Sequence, residues 1–143
     1  MTQDMLKLKI NTDGGARGNP GPAGIGVVIV DADTGEMIEE HAKYLGETTN
    51  NQAEYKAVIL GLTRAVKLGA SDVEILSDSE LLIKQANMEY KVKNPEIAKR
   101  FLEMKNLCTQ IGRCKFRHVR REQNTRADFL SNVAMDQGGR NDE

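Results

Sequence analysis

The chain has 143 residues, 39% of them hydrophobic, and a formal net charge of −1. This length suits one domain with a real core, and the near-neutral charge excludes a global field that would draw in an anion. No apolar run approaches the roughly 18 residues of a membrane span, and the polar N-terminus lacks a signal-peptide core. We therefore expect a cytoplasmic protein with no membrane association. Cys108 and Cys114 are too few for a disulfide framework, so buried reduced thiols are expected.

The first half of the chain predicts an antiparallel meander followed by one long helix. Three strands with short connections are predicted over residues 6–12, 24–30 and 37–44. A glycine- and proline-rich loop is expected between the first two strands. The long helix is predicted over 52–68, with Asn51 and Glu54 spaced as a capping box and Gly69 just past its end.

The second half alternates strands and helices. Its predicted elements are a strand over 72–77, helices over 79–88 and 95–111, a strand over 114–119 and a helix over 125–135. The order is βββαβααβα, and strand–helix–strand units place the later strands parallel to their neighbours. We expect an α/β fold with a mixed five-stranded sheet flanked by helices, in one domain over 1–136. Residues 137–143 contain no apolar side chain and predict a disordered tail.

Four acids fall at corresponding edges of these elements. Asp13 ends the first strand and Asp78 ends the fourth, while Glu54 and Asp128 lie in the first turns of two helices. Sites in α/β proteins collect at the carboxyl ends of strands and the neighbouring helix N-termini. Each acid alone could be turn or capping chemistry. Turn or capping roles explain four such acids at matching edges less easily, and we expect the four side chains to lie close together.

Converging carboxylates predict metal-dependent chemistry. They would repel one another and take up protons unless cations were bound. Hard divalent ions prefer oxygen ligands, and two such ions can activate a water and stabilise the leaving oxygen of a phosphodiester. The Walker A and GxGxxG motifs are absent from the sequence, so mononucleotide or dinucleotide binding is not supported.

Four motifs follow one another over residues 6–135: Thr12–Gly15 with Gly18–Gly21, Thr49–Glu54, Ser77–Glu80, and His118–Asn124 continuing to Asp128. In content and in order they resemble the motifs of the ribonuclease H type 1 family. The resemblance implies the ribonuclease H-like fold and hydrolysis of the RNA strand of an RNA–DNA hybrid, leaving 5′-phosphate and 3′-hydroxyl ends. Nothing in the sequence demands more than a monomer or indicates an obligate protein partner, so we expect a monomer.

The resemblance also implies roles for individual residues. Asp13, Glu54, Asp78 and Asp128 would hold two Mg²⁺ ions, with Mn²⁺ as the alternative, and His118 would assist proton transfer or product release. The matched positions that would contact nucleic acid are Gly14, Gly15, Asn19, Thr49, Asn50, Asn51 and Glu80. Independently, six cations lie between Arg113 and Arg126, and among them Arg120 and Arg121 are candidates for phosphate contacts or for a solvated face.

Two departures from the family pattern are visible. Residues 87–94 are too short for the basic, tryptophan-bearing protrusion of some members, and the chain contains no Trp. Glu80 stands where other members often have Gln. Three other hypotheses are a catalytically silent binding module on the same fold, a related metal nuclease or strand transferase with another substrate, and a generic α/β protein whose acids are only caps.

Overall fold

The structure, a computed structural model, describes residues 5–141, with the backbone alone for 139–141. Five strands form one sheet: β1 Leu6–Ala16, β2 Gly21–Asp31, β3 Met37–Thr48, β4 Ala70–Ser77 and β5 Arg113–His118. Four helices accompany it: α1 Asn50–Leu68, α2 Glu80–Ala86, α3 Pro95–Ile111 and α4 Thr125–Asn141, with a short 3₁₀ helix at Arg121–Gln123. The predicted order of strands and helices is confirmed.

The sheet has the strand order β3-β2-β1-β4-β5. β1 pairs with β2, and β2 with β3, in antiparallel fashion, whereas β4 runs parallel to β1 and β5 parallel to β4. This confirms the predicted mixed sheet of three antiparallel and two parallel strands. β1 is therefore central, and a side chain just beyond its parallel pairing lies in the middle of the fold.

The sheet buries its two faces against different helices. Val27 and Ile29 belong to the main core with α1 and α3, whereas Val28 packs with Ala127 and Leu130 of α4. This alternation is the two-residue period of a strand covered on both faces. A side chain added at Gly26 would overlap α4, with its Cβ only 2.8 Å from Leu130 Cβ. Glycine on β2 therefore lets α4 lie directly against the sheet.

The glycine- and proline-rich stretch is a paired hairpin rather than the predicted loop. β1 continues past Asp13 to Ala16, and Gly15 pairs with Gly24 across the β1–β2 ladder. The turn is limited to the residues between the strands, closed by a 2.9 Å bond from Arg17 N to Pro22 O. Pairing with β2 supplies hydrogen bonds that outweigh the low strand propensity of glycine. Asp13 thus lies inside β1, not at its end.

Two helix ends also differ from the predictions. Thr49, not Asn51, caps α1, and its hydroxyl accepts a 3.2 Å bond from Gln52 N. Glu54 consequently lies in the second turn of α1 and does not complete a capping box. The last helix runs on to Asn141, so residues 137–141 are helical where the sequence predicts a disordered tail. Gly138 packs against the ring of Tyr44, which supports this extension.

The remaining predictions concern thiols and the membrane. Cys108 and Cys114 are free thiols and are half-buried rather than fully buried. Residues 142–143 of the predicted tail lie outside the described part of the chain. Among the helices that the structure describes, none has the length and apolar character needed to cross a bilayer.

Candidate active site

A groove of about 650 Å³ opens at the carboxyl end of β4. The parallel ladder between β1 and β4 ends at the pair Thr12 and Ser77, so β1 continues without a neighbour on that side. Three of the predicted acids, Asp13, Asp78 and Asp128, line this groove. Glu54 belongs to the same cluster, because its charge interacts with those of Asp13 and Asp78. The sheet and two helices, α1 and α4, thus bring the four acids together.

Asp13 is the acid at the centre of the cluster. It lies opposite Gly26 in the β1–β2 ladder, and its Oδ2 accepts a 2.7 Å hydrogen bond from Ser131 Oγ. Burial, together with the charges of Asp78 and Asp128, raises the pKa of Asp13 to about 7, against a lowering by the hydrogen bond from Ser131. Near neutral pH this carboxyl group is therefore only partly ionised unless positive charge is supplied.

Glu54 reaches the cluster because α1 lies very close to β1. A Cβ placed on Gly14 would lie 2.7 Å from Glu54 N and would overlap the carbonyl group of Ala53, so only glycine permits this approach. Ser79 Oγ donates a 3.2 Å bond to Glu54 Oε1. Burial, followed by the charges of Asp13 and Asp78, raises the pKa of Glu54 to about 7 despite that bond.

Asp78 and Asp128 are not used as helix caps. Ser79 is the N-cap of α2, accepting from Leu82 N at 3.3 Å, and Asp78 precedes it. Asp128 lies in the first turn of α4, as predicted. Its Oδ1 lies 3.4 Å from Asn132 Nδ2 and 3.8 Å from a guanidinium nitrogen of Arg121. Simple capping therefore does not account for these two acids.

The cluster has the donor atoms of a divalent-cation site. All four groups are carboxylates, the oxygen ligands that hard cations such as Mg²⁺ prefer. Within residues 5–141, however, no three acidic, histidine or cysteine side chains are gathered tightly enough to form a complete metal site. An open, carboxylate-only site suits Mg²⁺, which keeps several waters and takes further ligands from substrate phosphates. The residues present therefore fit such an ion.

The residues predicted to contact nucleic acid beside α1 also hold the local structure. Asn50 N donates to Asn19 Oδ1 at 3.1 Å, and Ala16 N donates to Asn50 Oδ1 at 2.8 Å. These bonds tie the β1–β2 turn to the start of α1, which Thr49 caps. Asn51 is exposed and lines a second groove together with Asn19 and Thr49.

Other predicted residues lie at the rim of the acidic groove or outside it. His118, the last residue of β5, is exposed and lines the groove with Arg120 and Arg121. Glu80 is exposed in the first turn of α2, 4.0 Å from Lys84 Nζ. In the basic run, Arg117 and Arg126 are paired with Glu74 and Glu40, so they do not form a continuous free stripe with the others. These pairs cross between elements that are distant in sequence.

Sequence reasoning missed the side chains that support the acids, which are Ser79, Ser131 and Asn132. Ser131 follows Asp128 by three residues and Asn132 by four, so all three share one face of α4. This spacing is the signal in the sequence that could have linked Ser131 and Asn132 to Asp128. It could not indicate that Ser131 bonds Asp13 on a strand 118 positions away.

The raised pKa values predict an unusual pH dependence of stability in the metal-free protein. Folded Asp13 and Glu54 keep protons up to about pH 7, whereas the unfolded chain releases them near the ordinary values of 3.8 and 4.5. Stability should therefore be highest at the acidic end of this window and fall as the pH rises through it. Thermal unfolding in chelator from pH 5 to pH 8 should show this fall. Asp13→Asn should reduce the fall and stabilise the chain at pH 8 by about 1–2 kcal/mol; an unchanged slope would contradict the assignment.

Comparison with known proteins identifies the family. The family model described as "Reverse transcriptase-like" matches residues 11–134. The bifunctional protein Rv2228c of Mycobacterium tuberculosis is 44% identical over 92% of the chain, which spans only 36% of that relative's length. The solved N-terminal RNase H domain of Rv2228c, a fusion with maltose-binding protein, has a TM-score of 0.92 and 42% identity, covering 96% of this chain and 99% of that one.

A second solved structure extends this comparison. LC11-RNase H1 in complex with an RNA/DNA hybrid has a TM-score of 0.87 and 44% identity, covering 92% of this chain and 98% of that one. The family model alone spans all four acids, from Asp13 to Asp128. The chain belongs to the ribonuclease H family.

Proposed function

We propose that this chain is a metal-dependent endoribonuclease that hydrolyses the RNA strand of an RNA–DNA hybrid. The observation that carries the proposal is the cluster of four carboxylates from β1, α1, α4 and the end of β4, three of which line one open groove. Burial and mutual repulsion hold two of them, Asp13 and Glu54, at pKa values of about 7. Such a cluster is stabilised by bound cations, and a phosphodiester can supply the remaining ligands.

The proposed ligands are Asp13, Glu54, Asp78 and Asp128, for two Mg²⁺ ions or, alternatively, Mn²⁺. When bound, such ions activate a water for in-line attack and stabilise the leaving oxygen of the phosphodiester. Cleavage would leave 5′-phosphate and 3′-hydroxyl ends. The chain's own contribution is to hold the acids in place on four different elements and to keep Asp13 and Glu54 partly out of water.

Recognition of the RNA strand is proposed for the edge of the groove formed by β1 and α1. Main-chain groups of Gly14 and Gly15, with the Glu54 carboxylate, would hydrogen-bond a 2′-hydroxyl, the group that distinguishes RNA from DNA. Support comes from Gly15, which lines the groove: a Cβ there would lie at an ordinary 3.7 Å from its nearest neighbours, so packing within the chain does not require glycine at this position. The relative solved with an RNA/DNA hybrid supports the same substrate class.

The rest of the substrate is assigned to the polar rim. Asn19, Thr49, Asn50 and Asn51 would contact the nucleic acid beside α1 with polar atoms left over from their structural bonds. Exposed Arg120 and Arg121 would contact phosphates across the groove. His118 would move a proton near the leaving group or assist product release.

Cleavage of matched duplexes tests the proposal. We expect labelled RNA–DNA hybrid to be cut in Mg²⁺ or Mn²⁺ and to stay intact in chelator. Duplex RNA and duplex DNA of the same sequence should be cut at least about a hundredfold more slowly, since each lacks one of the two strand types that the site reads. Equal cleavage of all three duplexes would instead support a metal nuclease of other specificity.

Three further measurements accompany the cleavage assay. A chain that binds hybrid with metal present but never cleaves it would support the silent binding module and overturn the enzyme. End-labelling of the products separates 5′-phosphate from 5′-hydroxyl ends. Size-exclusion chromatography of the free and hybrid-bound chain tests the proposed monomer without an obligate protein partner.

A further inference from the structure

Ser131 on α4 has a buried hydroxyl between the carboxylate of Asp13 and the backbone of Asp128. Only 1% of the Ser131 surface is exposed to solvent. Its Oγ lies 2.7 Å from Asp13 Oδ2 and 2.8 Å from the backbone oxygen of Asp128. Both are acceptors, but a hydroxyl carries a single proton and can donate to only one of them at a time.

The surrounding bonds indicate which acceptor receives the proton. A helical serine ordinarily donates to a carbonyl three or four residues earlier. Here the Asp128 carbonyl already accepts a 2.9 Å bond from Asn132 Nδ2. When a bound cation keeps Asp13 ionised, its carboxylate is also a stronger acceptor than a peptide oxygen. The Ser131 hydroxyl is therefore free to donate to Asp13.

The close contact between α4 and β2 fixes the position of this hydroxyl. A Cβ built on Gly24 would lie 2.7 Å from Ser131 O, and one built on Gly26 would lie 2.8 Å from Ser131 N. The backbone of Ser131 thus rests directly on the strand that pairs with β1, and Gly26 is the residue opposite Asp13. Ser131 has little room to shift away from Asp13.

We propose that Ser131 is a positioning residue for Asp13. Its hydroxyl holds Oδ2 of the carboxylate and leaves Oδ1 available to a divalent cation. Ser131 itself touches neither substrate nor metal; it acts by restricting the orientation of the ligand. This inference rests on the proposed function, because it assumes that Asp13 binds a cation.

Ser131→Ala tests this role, with Ser71→Ala as the matched control. Ser71 lies on β4, and its buried Oγ has no hydrogen-bond partner among the described residues, so the control deletes a buried hydroxyl that positions nothing. Magnesium titration followed by calorimetry should show about tenfold weaker binding to Ser131→Ala, as is typical when a supporting bond to a ligand is removed. Ser71→Ala should bind magnesium like the wild type.

Hybrid cleavage by the same variants separates positioning from a merely structural role. At fixed magnesium, kcat of Ser131→Ala should fall while KM for the hybrid stays unchanged, and excess magnesium should restore the rate. Unchanged magnesium affinity in Ser131→Ala, or an equal loss in Ser71→Ala, overturns the positioning role. Wild-type chain that binds magnesium but cuts no hybrid overturns the proposed function alone, whereas wild-type chain that binds no magnesium overturns both.

Discussion

Asp13→Asn is expected to slow cleavage of RNA–DNA hybrid by about a thousandfold or more, while the chain stays folded. The amide keeps the shape of the side chain and can still accept from Ser131, but it removes the charge at the centre of the cluster. A loss of about 4 kcal/mol in transition-state stabilisation corresponds to that factor. Single-turnover cleavage with excess enzyme measures it directly, and circular dichroism verifies the fold.

Asp33→Asn provides the matched control for this substitution. Asp33 is exposed in the turn between β2 and β3, at the far end of β1 from the groove, and its replacement removes the same charge. It should cleave hybrid like the wild type. Asp78→Asn should behave like Asp13→Asn. Full activity in Asp13→Asn or Asp78→Asn would remove that acid from the mechanism, and equal losses in Asp33→Asn would make the effect one of net charge.

Gly14→Ala is expected to destabilise the chain by about 3 kcal/mol, because the added methyl overlaps backbone rather than a mobile side chain. Its Cβ would lie 2.7 Å from Glu54 N, so α1 would have to move away from β1. The melting temperature should fall by about 10 °C. Hybrid cleavage should fall as well, since the same movement carries Glu54 away from Asp13.

The neighbouring Gly15→Ala is the control. Its Cβ would lie at an ordinary 3.7 Å from Asn50 Oδ1 and Met135 Cε, so stability should change by less than about 0.5 kcal/mol. If a nucleic-acid backbone approaches Gly15 as proposed, the variant should fold normally and still cleave more slowly. Equal melting temperatures for Gly14→Ala and wild type would contradict the close packing of α1 on β1.

Supporting residues explain how a groove with so much negative charge is compatible with folding. Ser131 and Ser79 each donate to one of the two acids with raised pKa, which offsets part of the cost of burying them. Arg121 lies 3.8 Å from Asp128 at the exposed rim. Side chains of the protein therefore offset part of the cost of burying these negative charges, and bound cations would offset the rest.

The sequence by itself determined the order of the elements, the mixed sheet and which four acids to expect together. Alternating apolar residues mark the strands, helical periodicity marks α1 and α3, and these patterns are local, so they can be read from one chain. The resemblance rested on short motifs around Asp13, Glu54, Asp78 and Asp128, and the comparisons confirm the family it named.

Only the tertiary structure decided where β1 ends, how α4 continues and what supports the acids. Pairing with β2 extends β1 through glycines that disfavour strands, and packing of Gly138 on Tyr44 extends α4 through residues that read as a polar tail. Ser131 meets Asp13 only because Gly24 and Gly26 admit α4 against the sheet. Each of these outcomes depends on contacts between residues far apart in the chain, which overrule local propensity once the core is packed.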